Sequence, residues 1–461
     1  MSDGFDVIVI GAGPPGENAA GRCADAGLTV AIVESRLVGG ECSFWGCIPS
    51  KTLLRPGDVV AAARRVPGAA EAITGAIDDA AAFAQRDYMT SSWSDHTQTP
   101  WLDSKGIELV RGRGRLAGER AVEVETDSGA RRLTASKAVV LANGTTPVMP
   151  SIDGLADVGA WDNRDATSTS TVPRRFLVLG GGPIGVELAQ AFRRLGSEEV
   201  TVVEGGPRLL AREEPFAGEE LAAAFEAEGI AVRTGVSATA ASRDEAGVHL
   251  KLDDGSAMEG DELLVAVGRR PNTRDVGLET VGLAPDERLE VDDRLRVRGV
   301  PGEWLYAVGD VAGLALLTHM GKYQGRLAGD VIAGKDVVDR SDRDAVPRVT
   351  FTDPQVAAVG PTEAEAREAG IDVRVVSTGT GDVAGAYVRG NGITGTSQLV
   401  IDEGRGVVVG ATFTGPDVQE MLHAATIAVV GEVPLERLWH AVPAFPTVSE
   451  VWLRLLEAYG L

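Results

Sequence analysis

The feature that most constrains this chain is a glycine-rich turn that occurs twice in nearly the same setting. The segment "FDVIVIGAGPPGENAAGRCADAGLTVAIVES" runs from an apolar stretch through Gly11, Gly13 and Gly16 into a helical pattern, then into a second apolar stretch closed by Glu34. The segment "RRFLVLGGGPIGVELAQAFRRLGSEEVTVVEGGPRLL" repeats it with Gly180, Gly182, Gly185 and Glu204. Each reads as strand, turn, helix and strand, a βαβ unit that requires a parallel sheet. In such a unit the glycines let backbone N–H groups approach a pyrophosphate at the helix N-terminus, and the terminal acid accepts from a ribose hydroxyl. The spacing therefore predicts two dinucleotide sites. An acid at the end of the second strand favours the free 2′-hydroxyl of NAD over the 2′-phosphate of NADP. Arg208, four residues after Glu204, works against that preference.

Each unit is followed by alternating stretches with a hairpin signal, "DSG" in "AVEVETDSGARRLTASKAVVLANGTTP" and "DDG" in "VHLKLDDGSAMEGDELLVAVGRRPNT". The same insertion pattern is expected in both domains. Beyond about residue 345 the nucleotide signals stop, and "VVVGATFTGPDVQEMLHAATIAVV" reads as strand, turn and amphipathic helix of a further domain. The polar stretch "AGKDVVDRSDRDAVP" is the expected boundary before it.

With 461 residues the chain is too long for one core. Its 44 Lys and Arg stand against 67 Asp and Glu, a net charge of −23 that disfavours nucleic acid or an anionic membrane as partner. No run of about 18 apolar residues occurs, so no membrane span is expected. The N-terminus lacks the basic and long apolar regions of a signal peptide, which points to a cytoplasmic enzyme.

Two of the three cysteines lie in "GGECSFWGCIPSKTLL" as Cys42 and Cys47; Cys23 falls mid-helix in the first βαβ unit and reads as a small core residue. In a reducing compartment, paired cysteines are more often catalytic or metal-binding than structural. Zinc would need about four ligands, and five scattered histidines offer no paired spacing, so no metal is expected.

Taken together, these motifs resemble the FAD-dependent pyridine nucleotide-disulfide oxidoreductases, over essentially the whole chain. The resemblance implies an α/β fold: two Rossmann-like dinucleotide-binding domains plus an α+β C-terminal dimerisation domain. It divides the chain into an FAD-binding domain at 1–147, an NAD(P)-binding domain at 148–271, a second FAD-binding or central part at 272–344 and a dimerisation domain at 345–461. Gly11, Gly13, Gly16 and Glu34 would then bind the ADP half of FAD. Gly40, "LANGTTP" with Gly144, and "YAVGDVAG" with Gly309 and Asp310 would complete the flavin site, Asp310 holding the ribityl chain. Gly180, Gly182, Gly185, Glu204 and Gly268 would line the nicotinamide nucleotide site. "LLTHMGKYQG" resembles the helix beneath the flavin.

In this family the C-x4-C-x-P-S-K pattern is a redox disulfide, which makes Cys42 the exchange thiol and Cys47 the flavin-facing charge-transfer thiol. Geometry sets a condition on that pairing. A straight helix would hold residues i and i+5 roughly 8.6 Å apart at Cα, beyond the ~7 Å disulfide limit. The chain is therefore expected to bend between them, with Gly46 supplying flexibility and Pro49 removing an N–H. Lys51 is one of only six lysines, and the resemblance pairs it with Glu187 near the flavin.

One departure stands out. Where the disulfide reductases of the family carry a proton-transferring histidine before Pro, reaching across the dimer, this chain has Phe445 in "FPTVSE". A phenyl ring cannot transfer a proton, and a positioned acid-base group contributes about 10²- to 10⁴-fold. His440 lies five residues upstream, with Pro443 between and Pro446 just after Phe445, and His423 falls in a helical stretch. Glu41 replaces a threonine that contacts the FAD phosphates, and Phe44 and Trp45 make the surroundings of the cysteines more apolar. No cysteine follows Cys47, which disfavours mercury reduction. The expected enzyme is a homodimer passing electrons from NAD(P)H through FAD and the Cys42–Cys47 disulfide to a small acceptor of the quinone type. A dihydrolipoamide dehydrogenase-like disulfide reductase and a nicotinamide nucleotide transhydrogenase are the alternatives.

Overall fold

The structure, a computed structural model, describes residues 3–341 and 345–461; residues 1 and 2, and 342–344 within the polar boundary stretch, lie outside the described residues. The chain forms two compact units, one of residues 1–49, 86–147 and 269–340, the other of 50–85, 148–268 and 341–461.

In the first unit, the strand Gly4–Ile10 pairs in parallel with Val30–Glu34 on one side and with Gly129–Leu141 on the other. Glu108–Arg111 extends the sheet beyond Val30–Glu34, and Leu305–Ala307 joins Gly129–Leu141. The antiparallel strands Ala121–Thr126 and Arg113–Leu116 continue it past Gly129–Leu141, so the "DSG" hairpin is an extension of the same sheet. The central strands bury their apolar ends, Val7–Ile10, Val30–Val33 and Ala138–Leu141, in the core of the unit. Helices Pro14–Asp25 and Thr318–Ile332 pack on each other through a glycine stripe. A Cβ at Gly325 would stand 2.2 Å from Pro15 O, and one at Gly329 2.6 Å from Arg22 Cβ. Glycine at every fourth position lets the two backbones come closer than side chains would allow.

In the second unit, Arg175–Leu179, Glu199–Glu204, Ile230–Thr234 and Glu262–Val265 form a four-stranded parallel sheet. The "DDG" hairpin belongs to a separate three-stranded antiparallel sheet, Ala238–Asp244, Gly247–Leu252 and Ala257–Gly260. The C-terminal segment builds a five-stranded antiparallel sheet centred on Val407–Gly415, every residue of which is buried. Helices Val418–Val430 and Val451–Tyr459 supply apolar faces to that sheet's core. The α/β class with two βαβ nucleotide folds and a C-terminal α+β domain is thus present as expected. Among the described residues no helix is long and apolar enough to cross a membrane, and no group of three or more His, Cys, Asp or Glu is placed to hold a metal.

The core of the second nucleotide fold is knit by three rings, with Phe176 and Phe192 centroids 4.8 Å apart and Trp161 6.2 Å from Phe192. Phe192 is fully buried on the helix that follows the second glycine turn. Phe192→Ala is expected to lower the unfolding free energy by about 3 to 5 kcal/mol, read as a shift of the urea midpoint.

Candidate functional site

The first glycine turn is shaped by backbone contact. Gly11 has φ +102°, and a Cβ there would stand 2.4 Å from Ala142 O; a Cβ on Gly16 would stand 1.9 Å from Gly11 O. Gly13, the residue capping the start of the Pro14–Asp25 helix, meets nothing closer than 3.9 Å, so its missing side chain leaves an open face on the helix N-terminus. Glu34 closes the turn: Oε2 accepts from Ala12 N–H at 2.8 Å and Oε1 from Arg36 N–H at 2.7 Å. Burial raises this carboxyl above its ordinary range, with those amides pulling the other way.

The second turn repeats the arrangement. A Cβ on Gly185 would stand 2.0 Å from Gly180 O, Gly182 has open space, and Glu204 accepts from Gly181 N–H and Gly206 N–H at 2.6 Å each. Arg208 is engaged within its own loop, donating to Ala211 O and Glu213 O.

Three further segments of the first unit converge. Asp310 Oδ2 accepts from Thr145 Oγ1 at 2.9 Å, while Arg269 Nε donates to the same hydroxyl at 2.8 Å. Burial raises the Asp310 carboxyl, opposed by Thr145 and Arg269. Asn143 and Asn272 exchange hydrogen bonds, each side-chain amide donating to the other's carbonyl, yet Asn143 Oδ1 is buried and takes no partner. Gly40 and Gly309 are packed tightly, a Cβ at Gly40 falling 2.8 Å from Gly13 Cα and one at Gly309 2.6 Å from Pro15 Cγ; Gly144, and Gly268 in the second unit, face open space. Arg269 Nη2 lies 3.8 Å from Glu41 Oε2, which gives the unexpected acid a cation. Glu17, in the first turn of the Pro14–Asp25 helix, was not anticipated. Burial pushes its carboxyl up to about 7, with Lys322 pulling down and Glu34 pushing up.

An open helix N-terminus, a fixed ribose-accepting carboxylate, a buried Asp310 and an orphan amide oxygen fit the two ends of a flavin dinucleotide. Glu34 and Gly13 would hold the ADP half and Asp310 the polyol.

The two cysteines sit at a helix break. Gly40–Phe44 is one short helix, and a second, Cys47–Arg64, begins at Cys47. Trp45 N–H still bonds Glu41 O at 2.8 Å, then the chain turns. The bend is where it was expected, but Gly46 acts by close approach and not by an unusual backbone angle. It has no left-handed φ, and a Cβ there would stand 3.1 Å from Glu41 O and 3.4 Å from Cys42 Cα. Trp93 Nε1 donates to Phe44 O at 3.1 Å and pins the end of the first short helix, with the Arg86 guanidinium 4.9 Å over the Trp93 ring. Sequence reasoning missed this brace, which lies almost fifty residues away.

Both cysteines are thiols here. Cys47 Sγ lies 3.5 Å from Thr318 Oγ1, at the start of the Thr318–Ile332 helix. The Cys42 thiol is pushed well up by its hydrogen bond to Cys47, then by burial, while Thr318 and Lys322 pull it down. Cys47, the more exposed of the two, is the first residue of the Cys47–Arg64 helix. Cys23 is fully buried against Gly329 O, and burial pushes its thiol up to about 12.

In the second unit, Lys51 Nζ lies 2.6 Å from Glu187 Oε2. Glu187 Oε1 accepts from Phe351 N–H at 2.9 Å, and the Lys51 ammonium faces the Phe351 ring at 5.0 Å. Near the C-terminus, Phe445 is 75 % exposed and Val442 84 %. Glu450, five residues after Phe445, is buried and accepts from Gly385 N–H at 3.3 Å. His423 and His440 are both exposed.

A dithiol beside a flavin-type nucleotide fold, with a second nucleotide fold in the same chain, defines an oxidoreductase that moves electrons from a nicotinamide nucleotide through a flavin. The sequence pattern described as "Pyridine nucleotide-disulphide oxidoreductase" matches residues 5–326, and that family's dimerisation domain matches 346–455. The chain is 35% identical to a dihydrolipoyl dehydrogenase of Thermus scotoductus over 98% of its own length and 97% of the relative's. It is 29% identical to a mercuric reductase of Staphylococcus aureus, covering 97% and 81%. Among solved structures it resembles the HOCl-induced flavoprotein disulfide reductase RclA of Escherichia coli in its Cu(II) complex, with TM-score 0.87 and 25% identity over 99% of each chain. LpdA of Mycobacterium tuberculosis gives TM-score 0.86 and 26% identity over 99% of this chain and 100% of that one. This protein belongs to the pyridine nucleotide-disulfide oxidoreductase family and is an FAD-dependent enzyme that uses NAD(P)H.

The thiol environments set an order of reactivity. Iodoacetamide added to the reduced native protein at pH 8 is expected to label the Cys42–Cys47 pair and leave Cys23 unlabelled, since a thiol near 12 is only about 10⁻⁴ thiolate there. Peptide mass spectrometry over a time course measures it; labelling of Cys23 at a rate comparable to that of the pair would contradict the assigned burial.

Proposed function

We propose that the protein is a cytoplasmic homodimer that passes electrons from NADH through FAD and the Cys42–Cys47 pair to a quinone-type small molecule. In this reading Gly11, Gly13, Gly16, Glu34, Gly40, Gly144, Gly309 and Asp310 hold FAD, while Gly180, Gly182, Gly185, Glu204 and Gly268 hold the nicotinamide nucleotide. FAD, when bound, supplies hydride acceptance from NADH and the onward release of electrons. Lys51, Glu187 and the two cysteines are the groups of this chain assigned to that chemistry.

Phe445 carries the choice of acceptor. Disulfide exchange at Cys42 needs a group that holds and returns a proton, and the family places it where this chain has an exposed phenyl ring. Glu450, the family's partner for that group, is buried against Gly385 N–H, and His440 is exposed with Pro443 between it and the Phe-Pro step. A quinone takes two electrons and two protons, NADH and H⁺ becoming NAD⁺ with the quinol formed, and solvent can supply the second proton. A phenyl ring there costs such a reaction little. The disulfide-reductase reading is favoured by the retained dithiol and by similarity to dihydrolipoyl dehydrogenases.

Glu204 supports NADH as the donor. Its carboxylate is fixed by two loop amides, so it can accept from a 2′-hydroxyl and opposes a 2′-phosphate, while Arg208 is occupied in its own loop. The kcat/KM for NADH is expected to exceed that for NADPH by about tenfold or more, the worth of one hydrogen bond to a charged group. Equal or reversed values would remove the assignment.

For the acceptor, NADH oxidation with naphthoquinones and benzoquinones is expected to exceed that with lipoamide by at least about 10²-fold, the usual contribution of an acid-base group. Phe445→His should raise lipoamide reduction far more than quinone reduction. Efficient lipoamide turnover by the unaltered protein would sink the quinone reading in favour of a disulfide reductase, and turnover with NADP⁺ alone would favour transhydrogenation.

A further inference from the structure

Lys51 and Glu187 meet as one rung of a longer seam, all of it in the second unit. Glu187 and Arg194 lie seven residues apart on the Pro183–Leu195 helix, and Lys51 and Asp58 lie seven apart on the Cys47–Arg64 helix. Lys51 pairs with Glu187 at 2.6 Å, and Arg194 Nη1 reaches Asp58 Oδ1 at 3.2 Å. Seven residues span about two turns, so equal spacing in the same chain direction means the two helices run side by side with matched faces. Gly57 makes the fit possible. A Cβ there would stand 2.5 Å from Arg194 Cδ, so the bare backbone leaves a channel for the arginine stem.

Arg194 is itself anchored from the far side. Nη2 and Nε hold Glu228 at 2.6 and 3.0 Å, and Nη2 holds Asp353 Oδ2 at 2.9 Å. Between the two rungs, fully buried Gln190 donates to Glu228 and to Asp353 O and accepts from Asp353 N–H at 2.7 Å. Arg65, at the far end of the seam, holds both oxygens of Asp353 at 2.7 Å. Pro56, between the rungs, removes one ladder hydrogen bond without ending the Cys47–Arg64 helix. The Cys47–Arg64 helix continues through Pro56, so the orientation set at Asp58 in its second half is carried into the turn that holds Lys51.

We propose that Arg194 is a positioning residue for the Lys51–Glu187 pair, setting the rotation of the Cys47–Arg64 helix through Asp58 so that the Lys51 ammonium points at Glu187. Its consequence for electron transfer rests on the reading that this pair serves the flavin reaction. Asp58 gives the arrangement a pH dependence. Burial pushes its carboxyl up to about 6, Arg194 and Arg55 pulling down while Asp353 and Glu187 push up. Below about pH 6 Asp58 takes a proton and the charge pairing with Arg194 is lost; above it the rung is intact.

The chain's six lysines make the test direct. The holoenzyme is treated with limiting acetic anhydride at pH 7.5, and acetylation at each lysine is quantified by peptide mass spectrometry. Asp58→Asn and Arg194→Leu are expected to raise Lys51 acetylation by about threefold or more relative to Lys105 and Lys137, the lower end of coupling between neighbours. Arg194→Lys, which keeps the charge, should restore most of the protection. Should Arg194→Leu not fold, Asp58→Asn carries the test, with Tm and the other lysines as controls for general loosening. An unchanged Lys51 ratio in Asp58→Asn overturns the proposal, as does a rise shared by all lysines. The rate of flavin reduction by NADH, followed anaerobically in the same variants, separates the two readings. A raised Lys51 ratio with an unchanged rate supports the positioning and removes the pair from the flavin reaction, whereas a raised ratio with a slower rate supports both.

Discussion

At both nucleotide turns a carbonyl oxygen occupies the space a side chain would need. Gly11 O stands 1.9 Å from where a Gly16 Cβ would be, and Gly180 O stands 2.0 Å from the corresponding atom of Gly185. That contact lets the strand hand the chain to the helix in so few residues that the helix N-terminus opens directly beyond the strand's end. The amides there are left for a ligand, and the acid at the end of the next strand comes back to the same place. Glu34 and Glu204 are held by loop amides in the same way, one donating from the turn and one from two residues on. One local packing solution, used twice, shapes both glycine turns.

The dithiol uses the same physics in another form. Cys47 is the first residue of one helix and touches Thr318, the first residue of another, so helix dipoles and a hydroxyl favour negative charge at its sulfur. Beside it, the Cys42 thiol is pushed up by its hydrogen bond to Cys47 and by burial. As proposed, Cys42, Cys47, Lys51 and Glu187 carry the electron chemistry, while the position the family gives to proton transfer is filled here by exposed Phe445. On the proposed reading, that split between electron and proton chemistry is what moves the acceptor from a disulfide to a quinone.

Long-range polar contacts do the remaining alignment. The seam from Glu187 through Gln190 to Arg194 ties the second unit's helix Cys47–Arg64 to the segment around Phe351 and Asp353. The cluster is buried and mixed in sign, so removing one member strands the others, and its worth is in specifying one arrangement more than in adding stability. Trp93 does a comparable job in the first unit, bracing the short helix that carries Cys42 through a single indole N–H.

What the sequence by itself determined were features whose cause is local. The glycine spacings, the acids closing each second strand, the two hairpins and the need for a bend between Cys42 and Cys47 follow from backbone sterics within about thirty residues. The Lys51–Glu187 pair, 136 residues apart, was legible only through family resemblance. The reason Gly46 is glycine was misjudged, because close approach to Glu41 O depends on where the preceding short helix ends. Tertiary structure alone decided the pairing of Asp58 with Arg194, the Trp93 brace, the orphan oxygen of Asn143 and the burial that pushes the Cys42 thiol up. Each of these depends on burial and on partners far along the chain, and neither periodicity nor spacing in a single sequence encodes which distant groups share one desolvated space.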